Sequence, residues 1–83
     1  MESALRLIVN GVPRTLDGLQ APASLTSVLD HLELRPDRIA VELNGEIAPR
    51  TKWPELTVVD GNRIEVVHFV GGGSHPPSLH VTL

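Results

Sequence analysis

The sequence predicts an α+β domain: a mixed sheet of four to five strands with one main helix packed on one face. Three observations carry this. Short stretches of alternating apolar and polar residues occur near both ends of the chain and in its middle. The pairs Asn10-Gly11, Asn44-Gly45 and Asp60-Gly61 punctuate those stretches as turns. Only one segment, after Ser24, carries apolar residues at helical spacing.

Leu5, Leu7 and Val9 alternate with their neighbours and predict a first strand. Asn10-Gly11 favours the positive φ angles of a tight hairpin, because Gly lacks a Cβ and Asn tolerates that region. A second strand follows from Val12 to about Leu16. Pro13 cannot donate to a ladder, which places that strand at an edge. Residues 17–23 have loop composition. Ser24 suits a helix N-cap, and Leu25, Val28, Leu29 and Leu32 form one helical face. Arg35-Pro36 marks the helix stop, since a residue before proline is pushed out of the helical region.

Ile39, Val41 and Leu43 predict a third strand, Asn44-Gly45 a second hairpin turn, and Glu46 to Ala48 a short return. Residues 49–54 form a loop holding Trp53. Residues 56–59 form a short strand or turn. Arg63 to Val70 is the final strand, with Ile64 and Val66 facing inward. A single apolar helical stripe must be buried against one sheet face. The β-grasp (ubiquitin-like) fold fits this order, with the last strand beside the first and parallel to it in the sheet centre.

With 83 residues the chain is one domain. It has no cysteine, which removes disulfides, thiolate metal sites and a cysteine nucleophile. Trp53 and Phe69 are its aromatics, so Leu, Ile and Val must build most of the core. The net charge is −3 and the basic residues stand singly, so nothing favours nucleic acid, whose phosphates need a clustered cationic face. The start of the chain lacks signal-peptide character and no apolar run approaches a membrane span. A cytoplasmic protein with no membrane role is expected.

The histidines His31, His68, His75 and His80 match no metal-ligand spacing, and no metal site is expected. Glu42, Glu46 and Glu65 read as a solvated sheet face. No glycine-rich loop opens a helix and no serine sits in a nucleophile elbow, so no catalytic residue is assigned and the chain is read as no enzyme. What remains is Gly71-Gly72-Gly73, directly after the last strand. By itself such a run reads as a linker. Placed after that strand, it is the one feature able to reach into another protein's active site.

The stretches Val9-Asn10-Gly11, Ala40 to Arg50 with Trp53, Asp60-Gly61, and Ile64 to Gly73 together resemble the ThiS family, sulfur carriers of thiamin thiazole biosynthesis. The resemblance covers residues 5–73. It implies that the glycine carboxylate is adenylated by a ThiF-like enzyme using ATP. It also implies conversion to a thiocarboxylate that donates sulfur to a ThiG-like thiazole synthase. The carrier would hold no stable cofactor. On this reading residues 1–70 are the carrier domain and 71–73 the reactive tail. Gly73 is the acceptor after processing, with Gly72 as alternative. Phe69, Val70, Gly71 and Gly72 would contact partners, Phe69 and Val70 from the sheet face that the helix leaves open.

Residues 74–83 extend past the point where the family's glycines end the chain, so Gly73 has no free carboxylate here. Three readings compete. A processing protease removes the extension; the extension begins a following domain or is a remnant; or the protein is a non-carrier β-grasp interaction module. A carrier for another sulfur pathway, matured by proteolysis, is a further alternative. Leu79, Val81 and Leu83 alternate with His80 and Thr82, a strand pattern that could pair with a sheet edge, the chain's own or a neighbour's.

Overall fold

The computed structural model describes residues 3–70 and 78–81. Its strands are β1 (Ala4–Val9), β2 (Val12–Asp17), β3 (Ala23–Ser24), β4 (Ile39–Leu43), β5 (Glu46–Ile47), β6 (Thr57–Val58), β7 (Arg63–Val70) and β8 (Ser78–Val81). One α-helix, α1 (Leu25–His31), lies between β3 and β4. The main sheet has the order β2-β1-β7-β4-β5, and β8 also pairs with β7. β7 runs parallel to β1 and antiparallel to β4, so the last long strand is central. This is the β-grasp arrangement that the element order predicts.

Both hairpins form as the Asn-Gly pairs require. Asn10 and Gly11 have φ of 49° and 81°, and Asn44 and Gly45 have 53° and 86°, the paired positive angles of a tight two-residue turn. β2 is an edge strand, where Pro13 costs no ladder bond. The Asp60-Gly61 turn joins no hairpin. It docks sideways on β1: the Arg6 N–H donates to Asp60 Oδ1 at 2.9 Å, and the Gly61 N–H donates to the Arg6 carbonyl at 2.8 Å.

Leu5, Leu7, Val9, Ile39, Val41, Ile64 and Val66 all lie on one sheet face, and all are buried. Leu25, Val28 and Leu29 of α1 close over them. Burial of each such side chain contributes about 1.5–3 kcal/mol. Trp53 fills one end of this core and donates its Nε1–H to the Ala48 carbonyl at 2.7 Å, so its one polar atom is satisfied.

The start of α1 is well supplied with acceptors. The Ser27 N–H donates to the Ser24 hydroxyl oxygen at 3.1 Å, and the Leu25 and Thr26 N–H groups donate to the Leu56 and Trp53 carbonyls. Its end departs from the sequence reading. The helix stops at His31, short of Pro36, and Leu32 is its C-cap. Glu33 turns left-handed at φ 60°, the Glu33 N–H donates to the Asp30 carbonyl, and the Leu34 N–H donates to the Leu29 carbonyl. That bond pair is a Schellman stop, normally made with glycine. Without a glycine, nothing in the local residues marks it.

Candidate functional site at the end of the last strand

β7 is held at its start by turn residues. Asn44 donates its N–H to the Arg63 carbonyl, and its Oδ1 accepts the Arg63 N–H at 2.8 Å. On the other side of β7, the Ile8 N–H donates to the Asn62 carbonyl and the Asn10 N–H to the Ile64 carbonyl. β1 then turns away, and the Asn10 side chain takes over. Its Oδ1 accepts the Val66 N–H at 2.7 Å, and its Nδ2 donates to the Val66 carbonyl at 3.1 Å. The carboxamide thus behaves as one more strand residue. Sequence reading assigns Asn10 only a turn. The parallel pairing of β1 with β7 was the signal that could have placed it beside the last strand.

Beyond Val66 the strand runs to Val70. A groove of about 520 Å³ opens there, lined by Glu33, Leu34, Arg35, Arg38, His68 and Phe69. The Schellman stop and the short 3₁₀ turn Pro36–Arg38 form one wall, and the end of β7 the other. The guanidinium groups of Arg35 and Arg38 outnumber the Glu33 carboxylate, so this rim suits an acidic partner surface.

The expected site residues divide as follows. Phe69 is half-buried and borders the groove. Alternate strand residues share a face, so Phe69 lies on the side of Glu65 and Val67; the side chain of Val70 lies outside the described residues. Gly71, Gly72 and Gly73 lie outside the described residues, as does His75. His31 is exposed on α1, and His68 lies opposite His80 in the β7–β8 ladder. Glu42 and Glu65 are direct cross-strand neighbours, whereas Glu46 pairs with Leu43. Among the described residues no group of three or more His, Cys, Asp or Glu side chains could hold a metal ion. No helix among them is long and apolar enough to cross a membrane.

Comparison with known proteins gives a consistent result. The model of the ThiS family matches residues 7–73. The crystal structure of a thiamine biosynthesis protein (ThiS) from Geobacter metallireducens superposes with a TM-score of 0.72 at 38% identity, covering 83% of this chain and all of that one. The sulfur carrier protein ThiS of Bacillus subtilis is 36% identical over 50 residues, 60% of this chain and 76% of that protein. A thiazole synthase of Magnetococcus marinus is 34% identical over 74 residues, 89% of this chain but 22% of that protein. The chain therefore spans about a fifth of the length of the thiazole synthases it matches.

Proposed function

The chain belongs to the ThiS family of sulfur carriers in thiamine biosynthesis, and we propose that Gly73 is its sulfur-bearing residue once residues 74–83 are removed. The observation that carries this is where the family match stops: it runs through β7 and the three glycines and ends at Gly73. Cleavage of the Gly73–Ser74 peptide bond by a processing protease adds water across it and leaves a carboxylate. That carboxylate attacks the α-phosphorus of ATP on a ThiF-like enzyme and expels pyrophosphate. The resulting acyl-adenylate is a far better electrophile than a carboxylate. A sulfur donor then displaces AMP to leave a thiocarboxylate, whose sulfur is nucleophilic. A ThiG-like synthase is the recipient. The carrier supplies the acyl handle, and the partners supply the catalytic groups and consume the ATP. Three glycines suit the handle because a chain without side chains fits a narrow channel.

The match to a fifth of two thiazole synthases favours a second reading of the extension, in which residues 74–83 lead into a synthase domain. Gly73 is then the junction between carrier and recipient. Intact-mass measurement from cells engaged in thiamin synthesis tests both readings. A species ending at Gly73, heavier by one sulfur-for-oxygen exchange, supports the carrier with cleavage. Only species that continue past Gly73, with no sulfur gain, would overturn it.

A further inference from the structure

The side of β7 that faces β1 uses its main-chain groups in order. The Asn62 carbonyl accepts from Ile8 of β1, the Ile64 carbonyl accepts from the Asn10 N–H, and both main-chain groups of Val66 are met by the Asn10 carboxamide. Main-chain groups alternate sides along a strand, so the next to face that side belong to His68 and Val70. β8 lies there, with His80 opposite His68 and Ser78 opposite Val70. Among the described residues, the extension thus fills the stretch of this edge beyond Val66, which neither β1 nor Asn10 covers. Asn10 sets the border: it ends the β1 ladder and leaves the next position to another strand.

We propose that the Val67–Val70 edge of β7 is a strand-acceptor site and that Ser78–Val81 is its built-in occupant. The occupant acts as a latch, because the Val70–Ser78 pair ties both ends of residues 71–77 to the same strand. Its consequence rests on the carrier reading: a glycine run tied at both ends cannot thread single file into a partner. Removing residues 74–83 then does two things. It creates the Gly73 carboxylate, and it bares an edge able to accept another extended segment.

Amide hydrogen exchange on the full chain tests this without reference to sulfur chemistry. His80→Pro removes the N–H that faces His68. The His68 and Val70 amides should then exchange about tenfold faster, the factor set by about one net hydrogen bond each. The Val66 amide, held by Asn10, should not change. The chain ending at Gly73 should behave as His80→Pro does; the buried core among the described residues lies within residues 5–66. Adding a peptide of residues 74–83 at millimolar concentration, the range a short tether supplies, should slow His68 and Val70 again. The same peptide with His80→Pro should not. Equal exchange at His68 and Val70 in the full chain and in His80→Pro would overturn the latch. Adenylation of the chain ending at Gly73 is a separate readout, so loss of the carrier reading would leave the exchange result standing.

Discussion

Replacing Asn10 with glycine should cost far more than its place in a surface turn suggests. Glycine adopts the 49° φ without strain, so the turn itself survives. What is lost is the carboxamide that satisfies both main-chain groups of Val66. A partly buried polar group left without a partner costs about 1–3 kcal/mol. Water reaches this strand edge in part, so the lower end applies to each group, giving a loss of about 2 kcal/mol. In a domain of this size that lowers the melting temperature by about 8–16 °C. Asn44→Gly provides the internal comparison. It has the same turn and nearly the same φ, but its side chain accepts a single exposed bond, from the Arg63 N–H. Its loss should be about 1 kcal/mol. Thermal and urea unfolding followed by circular dichroism measures both, and the Val66 amide should lose exchange protection only in Asn10→Gly. Equal losses for the two variants, or an Asn10→Gly loss below about 0.5 kcal/mol, would refute the strand-residue role of Asn10.

Other substitutions test separate parts of the fold. Trp53→Phe leaves the buried Ala48 carbonyl without its donor and should destabilise by about 1–3 kcal/mol in urea unfolding. Glu33→Gly relieves a left-handed residue at the helix stop; offset by the greater freedom of unfolded glycine, it should stabilise by about 0.5 kcal/mol, seen as a small rise in melting temperature. Glu42→Arg turns the like-charged pair with Glu65 into an opposite one and should stabilise by about 0.2–1 kcal/mol, a gain that shrinks as salt is added.

Where backbone chemistry is local, the fold is legible in the residues. The alternation of Leu5, Leu7 and Val9, the Asn-Gly pairs, the Ser24 cap and the run from Arg63 to Val70 each specify their element, and one helical stripe leaves one way to bury it. The end of α1 was not legible, because a glutamate occupies the left-handed position that glycine normally marks. Pro36 therefore looked like the stop when the chain had already left the helix at His31. The task of Asn10 was hidden for another reason: its partner Val66 is 56 residues away, and only the parallel pairing of the first and last strands brings them together. The strand pattern of Leu79 and Val81 is visible in the residues, but alternation alone does not say whether its partner is the chain's own edge or a neighbour's. The structure places Ser78–Val81 on the chain's own β7. Of the candidate site, the strand that leads to it, Arg63–Val70, was legible. The groove beside it was not, since it joins the end of β7 to the Glu33–Arg38 connection.

ATP–pyrophosphate exchange catalysed by a ThiF-like enzyme tests the central claim most directly. The chain ending at Gly73 should stimulate exchange, because its terminal carboxylate can attack ATP reversibly. The full chain, in which Gly73 is bonded to Ser74, should not. No stimulation by the shorter chain, or equal stimulation by both, would contradict Gly73 as the acceptor freed by removal of the extension.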